Sequence, residues 1–335
     1  MTQPTTNKSL VNLLPQLVST DNGLAQDVRQ GLSQNPKKLS SRFFYDAKGS
    51  QLFQQIMELP EYYLTKLEHQ ILSRQRKEIL YAIDTATPFQ LVDLGAGDAY
   101  KTKLLLSELV ASKVDFSYVP LDISEDQLNL LLEDLHHRWP QLPVTALAAE
   151  YFQGLAWLNQ EKPQRKVVLF LGSNIGNFHL QEAQEFLCTL RKSLNPHDSL
   201  LLGLDLRKDP EKMRRAYADA AGVTSAFNLN LLHRINKELH ADFDLDQFQH
   251  FAEYDPLEGT MRSFLISRKA QQVHIGALNE TFEFEAWEAI HTENSYKFSL
   301  RQVEEMAQAC GYRVQDVYTD ASHGFADVLL RPVES

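Results

Sequence analysis

What the chain lacks narrows its function first. It has two cysteines in 335 residues. Cys188 and Cys310 are too few and too isolated for a disulfide framework or a zinc site, so they are expected as core thiols in a reducing compartment. Positive charge is also scarce. With 33 Lys and Arg against 44 Asp and Glu the formal net charge is -11, so the basic patches that release counterions from nucleic acid or grip an anionic membrane are not expected. A small-molecule substrate is. No segment approaches membrane-spanning length, and the Thr-, Gln- and Asn-rich start has neither the basic beginning nor the continuous apolar run of a secretory signal. These absences predict a cytoplasmic protein with no metal and no membrane or nucleic-acid partner, loose over residues 1–18; a monomer is expected. Internal repeats, low-complexity tracts and long linkers are missing too, so its lobes should pack tightly. The 43% hydrophobic content suffices for one large domain or two intertwined ones.

One further absence is specific. Leu91-Val92-Asp93-Leu94-Gly95-Ala96-Gly97 reads as a buried strand breaking into a glycine turn ahead of a helix, with Lys101 four residues on. Two glycines let the backbone come close to a ligand where side chains would collide. A dinucleotide fingerprint needs a third, G-x-G-x-x-G, and that place holds Tyr100. NAD is therefore disfavoured, and a loop of this form with an acidic residue before it resembles that of S-adenosylmethionine-dependent methyltransferases.

From residue 89 short apolar runs alternate with amphipathic helical patterns, the signature of a parallel sheet covered on both faces. Strands are predicted at 89–94, 117–123, 144–150, 166–171 and 199–206. Between them, 101–111 carries Leu104, Leu105 and Leu109 on one face, Ser124 with Gln127 forms a capping box, and a further helix spans 181–194. The rhythm stops after 206 and resumes at Ser299, which pairs with Gln302 in a second capping box. There Leu300, Val303, Met306 and Cys310 form one stripe, Gly311 ends the helix, and strand-like runs at 313–318 and 325–330 make a terminal hairpin. The predicted fold class is α/β: a class I S-adenosylmethionine-dependent methyltransferase with a seven-stranded doubly wound sheet and an inserted substrate lobe. The methyltransferase domain is assigned to 67–206 and 298–335, the substrate-binding domain to 19–66 and 207–297.

Ligands of such a sheet bind beyond the carboxyl ends of its strands. Asp122, ending the second strand, can accept both ribose hydroxyls; Glu150, ending the third, can face an adenine edge, with Tyr151 beside it; Lys101 can pair with the cofactor's carboxylate. Each alone reads as a solvated loop charge, and their placement at successive strand ends carries the assignment. After the fourth strand, Gly172-Ser173-Asn174-Ile175-Gly176-Asn177 is too polar and glycine-rich for a core element. A plain strand-to-helix turn is the bland alternative. The functional reading has its carbonyls and the Asn177 amide hold an amine and a carboxylate. Phe43-Phe44-Tyr45-Asp46 and Leu59-Pro60-Glu61-Tyr62-Tyr63 concentrate aromatics, which serve as core or as faces for a quaternary ammonium product.

Taken together, FFYDAKGSQLFQQI at 43–56, LPEYY at 59–63, LGSNIGN at 171–177, YADAAGVTSAFN at 217–228 and TENSYKF at 292–298 resemble the L-histidine N-alpha-methyltransferase family over nearly the whole chain. The resemblance implies S-adenosyl-L-methionine as cofactor, L-histidine as substrate, and the trimethylated betaine hercynine as product, a step of ergothioneine biosynthesis. It also implies that Tyr62, Glu293 and Ser295 meet the imidazole. A carboxylate and a hydroxyl suit a ring that donates from one nitrogen and accepts at the other. By the same resemblance, Asn177 and Tyr217 take the substrate carboxylate and the Gly172 carbonyl meets the amine. Gly95, Lys101, Asp122 and the Glu150-Tyr151 pair match cofactor positions, beside Gly97 of the same loop. Three departures stand out: Ser263 where the best-known members carry methionine against the substrate side chain, Glu150 where Asp is usual, and Asp98-Ala99-Tyr100 after the glycine loop.

The expected reaction is an in-line displacement in which the neutral α-amine attacks the sulfonium methyl and the protein contributes mainly alignment. Tyr45, Tyr62 and Asn177 are the expected catalytic set, the tyrosines orienting water or the amine. Three alternatives remain. An N-methyltransferase for another amino acid or amine is hinted at by Ser263 and opposed by Glu293 and Ser295. An NAD oxidoreductase is opposed by Tyr100 and the terminal hairpin, and a non-catalytic cofactor-binding regulator by the intact Asn177, Tyr217 and Glu293 set.

Overall fold

In the computed structural model, which describes residues 8–14 and 23–333, the chain begins with β1 (Lys8–Asn12), α1 (Leu24–Leu32), β2 (Lys37–Lys38), α2 (Ala47–Glu58) and α3 (Tyr63–Ile83). It continues through β3 (Phe89–Leu94), α4 (Thr102–Ala111), β4 (Phe116–Asp122), α5 (Glu125–Arg138), β5 (Val144–Ala148), α6 (Tyr151–Glu161), β6 (Lys166–Phe170), α7 (Leu180–Lys192) and β7 (Ser199–Asp205). Then come α8 (Pro210–Ala216), α9 (Val223–Leu239), β8 (Phe248–Asp255), β9 (Thr260–Ser267), β10 (Gln271–Ile275), β11 (Glu280–Phe284) and β12 (Ala289–Tyr296). The last elements are α10 (Leu300–Ala309), β13 (Tyr312–Thr319) and β14 (Phe325–Pro332). Two units divide these elements. One holds Lys66–Leu206 and the described residues from Phe298 onward, with β1; the other holds Arg207–Lys297 and the described residues from 23 up to Thr65.

The first unit is built on an eight-stranded sheet of order β1-β5-β4-β3-β6-β7-β14-β13. Neighbours are parallel except at the end, where β14 runs antiparallel to β7 and to β13. Every residue of β3, β5, β6 and β7 is buried, as a sheet covered on both faces requires. Strand order reverses between β3, whose neighbours are β4 and β6, and this switch point is where the loops after β3 and β6 part. The seven expected strands, with their terminal hairpin, are all present.

Four local expectations are corrected. Residues 8–12, inside the stretch predicted to be loose, add an eighth, parallel edge strand against β5, which needs a partner on one side only; residues 1–7 and 15–18 of that stretch lie outside the described residues. The third expected strand stops at Ala148, and Glu150 becomes the N-cap residue of α6, because the backbone has already turned into the helix. Leu300 is 44% exposed at the start of α10, so the buried stripe there is Val303, Met306 and Ala307, continued by Cys310 at the C-cap. Cys188 and Cys310 are disulfide-bonded rather than separate thiols. They lie 122 positions apart in sequence, a separation that hides a neighbourhood made only when α7 packs beside α10.

In the second unit, β2, β12, β9 and β8 form a four-stranded sheet and β10 with β11 a separate hairpin. The helix α9 repeats Phe227, Leu231, Ile235 and Leu239 at four-residue intervals, all buried, the stripe that a one-sided helix needs. That stripe joins Phe44, Phe248, Leu265 and Ile290 in one apolar core. Asp219 caps α9 by accepting the N–H groups of Val223 and Thr224 at 2.9 and 2.8 Å. Between β12 and β9 the register shifts at Thr292, whose hydroxyl donates to the Ser263 carbonyl at 3.0 Å and to Asn228 Oδ1 at 3.2 Å. Such a bulge re-aims the side chains that follow it, and those are the residues of interest here.

Candidate active site

In the first unit, β3 delivers Asp93 to the switch point, 3% exposed and accepting the Tyr118 hydroxyl at 2.8 Å. Burial pushes its pKa up to about 6, against the opposing pull of Thr102 and Tyr118 hydrogen bonds. The glycine turn that follows needs left-handed backbone, with φ of +73° at Gly95 and +52° at Gly97. The N–H groups of Gly95 and Ala96 donate to the Leu121 carbonyl at 2.8 and 3.2 Å. The Gly97 N–H donates to Asp122 Oδ2 at 3.0 Å, while Oδ1 takes the Ser124 N–H at 3.0 Å. Asp122 is thus held by backbone on both oxygens, and each keeps a further lone pair for a ligand. A Cβ at Gly97 would meet nothing within 4 Å, so the turn lines an open cradle.

Tyr151 places its hydroxyl 3.2 Å from where a Gly95 Cβ would stand. Burial, then the charges of Asp122 and Glu150, push its pKa up to about 12, which keeps it a neutral phenol. Glu150 is exposed and makes no side-chain cap to its helix. Lys101 is paired with Glu68. A carboxylate set for a diol, an aromatic beside it, a cation and a glycine turn with open space form a donor set that fits S-adenosylmethionine.

The loop after β6 enters left-handed backbone at Gly172, φ +82°, and Ser173, φ +58°, then makes a 3-10 turn over Asn174–Asn177. Ser173 Oγ accepts the Asp205 N–H at 2.9 Å. The exposed Asn177 closes the turn. Asn174 lies between the two glycine loops: its Nδ2 is 3.5 Å from a Cβ placed on Gly95, and its Oδ1 3.5 Å from one on Gly172.

In the second unit, Glu293, Ser295 and Lys297 follow the bulge at alternate positions, so they share one face of the strand. Ser263 stands directly across from Glu293 on β9 and is 2% exposed. Lys297, 1% exposed, donates to the Tyr217 hydroxyl at 2.7 Å and to Ser295 Oγ at 2.9 Å, and those two hydroxyls are 2.7 Å apart. Burial pushes the Glu293 pKa up to about 7, with Lys297 pulling the other way. Tyr62 meets Phe53 edge-on at 6.1 Å; Tyr45, 47% exposed, meets Phe53 and Phe227 at 5.5 and 5.6 Å. The structure therefore brings Tyr217, Ser263, Glu293 and Ser295 into one polar row, and Gly95, Gly97, Asp122 and Tyr151 into one cradle. Lys297, Asn174 and Glu68 were not singled out from sequence. The first two lie inside quoted motifs, which was the available signal, and Glu68 gives none.

Tyr217→Phe tests the polar row. It deprives the Lys297 ammonium and Ser295 of a partner, so a loss of about 1–3 kcal/mol in denaturant melts is expected, together with a raised KM for the amino-acid substrate. An unchanged melt and KM would remove Tyr217 from the row's function.

Known proteins resemble the chain along most of its length. The family profile described as "Histidine-specific methyltransferase, SAM-dependent" matches residues 24–332. The histidine N-alpha-methyltransferase of Mycolicibacterium smegmatis is 41% identical over 92% of this chain and 94% of its own. That of Mycobacterium tuberculosis is 37% identical over 90% and 92%. A more distant relative, the 4-dimethylallyltryptophan N-methyltransferase of Claviceps purpurea, is 26% identical over 90% and 92%. The motifs and the profile agree, and the chain belongs to the histidine-specific, S-adenosylmethionine-dependent methyltransferase family.

Proposed function

We propose that the chain methylates the α-amine of L-histidine three times in succession, giving hercynine for ergothioneine biosynthesis. The observation that carries this is the row on β12, where a carboxylate and a hydroxyl sit two residues apart on one strand face with a buried lysine behind them. Glu293 accepts the ring N–H, Ser295 donates to the other ring nitrogen, and Tyr62 packs on the ring. Asn177 and Tyr217 take the substrate carboxylate and the Gly172 carbonyl orients the amine. S-adenosylmethionine supplies an electrophilic methyl on its sulfonium, held by Gly95, Gly97, Lys101, Asp122, Glu150 and Tyr151.

The protein's part in each round is alignment, since a neutral amine is nucleophile enough once held in line. Tyr45, Tyr62 and Asn177 reorient the mono- and dimethylated amines without a strong base. A fully methylated nitrogen donates no hydrogen bond, so the product leaves more easily than the substrate. The reading has a monomer acting on a small molecule in the cytoplasm; among the described residues no helix is long and apolar enough to cross a membrane.

A second reading, methylation of another amino acid or amine, is favoured by Ser263, whose small buried side chain faces Glu293 where the best-known members of the family carry methionine. Incubating the protein with S-adenosylmethionine and an equimolar amino-acid mixture, with products followed by mass, separates the two. Stepwise gain of three methyl groups on histidine alone is expected; methylation of another component instead sinks the histidine reading and keeps the reaction type.

A further inference from the structure

Glu68 has no part in the reaction as read so far. It sits on α3 with its side chain fully buried, and several elements converge on its carboxylate. Oε1 accepts the Gly172 N–H at 2.7 Å, at the turn that follows β6. Oε2 pairs with the Lys101 ammonium, just past the glycine turn that follows β3. Asp327 on β14 lies alongside, 0% exposed, with no N–H serving either of its oxygens. Gly203 on β7 is the cross-strand partner of Asp327, and a Cβ built on it would collide with Glu68 Oε1. Glycine inside a fully buried strand weakens that strand. Here it keeps the space that the carboxylate fills.

Two carboxyl groups side by side out of water cannot both ionise. Burial first, and then the Glu68 charge, push the Asp327 pKa far above the usual carboxylate range. Of the two carboxyls Asp327 therefore favours the proton, which it can share with Glu68, whose Oε2 faces the Lys101 ammonium. The Lys101 side chain remains 20% exposed, and its ammonium is 3.3 Å from where a Gly172 Cβ would stand. One cation thus reaches both loops at the switch point.

We propose that Glu68 is a positioning residue for cofactor binding: seated against Asp327, it fixes the Lys101 ammonium and the Gly172 amide in one arrangement, so that an arriving amino-acid carboxylate meets a cation already aimed. The proposal rests on reading Lys101 as a contact of S-adenosylmethionine. Ordering a flexible lysine before the ligand arrives removes that entropy from the cost of binding.

The test measures S-adenosylmethionine affinity by calorimetry, with kcat and KM, on the full chain and on Glu68→Gln, Asp327→Asn, Asp327→Leu, Lys101→Met and the Glu68→Gln/Lys101→Met double variant. Glu68→Gln can still accept from Gly172 but turns an NH2 toward the ammonium; affinity about 10-fold weaker with kcat within about threefold is expected. Asp327→Asn still donates a neutral hydrogen bond and should stay within about threefold of the parent, whereas Asp327→Leu should weaken binding about 10-fold. In the Lys101→Met background, Glu68→Gln should add nothing, because it acts through Lys101. Parent-like affinity in Glu68→Gln, or a loss that is the same with and without Lys101, overturns the proposal. If Glu68→Gln does not fold, equal binding by the two Asp327 variants overturns it. An unsubstituted protein that binds no S-adenosylmethionine overturns the cofactor reading as well, an outcome distinct from the others.

Discussion

Glu293→Gln is expected to lower kcat/KM for histidine roughly 10- to 100-fold, the value of one charge-assisted hydrogen bond reduced to a neutral one, while making the ligand-free protein more stable at pH 8. Both effects come from one cause. Burial raises the Glu293 pKa from 4.5 to about 7, with Lys297 opposing, so the folded state binds this proton more tightly than the unfolded chain does. The stability that goes with the proton is complete below pH 4.5 and is lost as pH rises through about 7. At pH 8 the folded protein carries an ionised, desolvated carboxylate. The shift converts to about 3 kcal/mol at 1.36 kcal/mol per unit, and partial exposure of the side chain trims it to roughly 2 kcal/mol.

Glutamine carries no such charge. The stability difference between variant and parent should therefore grow between pH 4.5 and 7 and then level off, as read by chemical denaturation across pH. Activity should move the opposite way. In the parent, kcat/KM gains an extra rise through about pH 7 as Glu293 becomes an acceptor for the ring N–H, on top of the rise that both proteins share as the α-amine loses its proton; in the variant that extra rise is missing. Parent-like efficiency on histidine in the variant would show that Glu293 does not hold the ring.

The central strands β3 to β7 of the first unit were legible because they are largely apolar runs, with glycine-rich turns after β3 and β6; a strand buried on both faces leaves no other pattern. The second unit was not. Strands such as β9 alternate buried and half-buried residues, and a chain of hairpins buried on one face only, beside a long helix, has no period that spans it. The N-terminal strand Lys8–Asn12 is short and pairs on one edge only, so composition made it look loose. Of the candidate site, the residues by themselves showed the glycine turn, the polar loop after the fourth strand and the acids near strand ends, since the switch-point rule says where to look; Tyr217, Ser263, Glu293 and Ser295 came only from the family resemblance, because no period marks the segments that carry them. Glu68 was invisible for a physical reason: a charged residue within a helix reads as a solvated face, and only the fold shows that Gly203 and Asp327, more than a hundred positions away, make room for it. Lys297 hid in the same way, as a cation at the end of a strand that reads as exposed and is 1% so.

Asp122→Asn should be almost as damaging to cofactor binding as Asp122→Ala, although it changes one atom. Both oxygens of the carboxylate accept from backbone, Oδ2 from Gly97 and Oδ1 from Ser124, each at 3.0 Å. An amide offers one acceptor, so whichever way Asn is turned its NH2 faces a backbone N–H, and either the glycine turn or the start of α5 must give way. The remaining lone pairs, which the proposed reading assigns to the ribose hydroxyls, are lost or displaced with it. Losing two charge-assisted hydrogen bonds at about 1.5–3 kcal/mol each, partly recovered through water, leads to S-adenosylmethionine binding weakened by roughly 10²- to 10³-fold. Calorimetry on the two variants and on Asp122→Glu decides it. If Asn binds as the parent does, Asp122 serves the turn alone and the ribose is held elsewhere. If Asn and Ala both fail while Glu retains part of the affinity, the acceptor pair is the feature that binds, and the rest of the cradle follows from it.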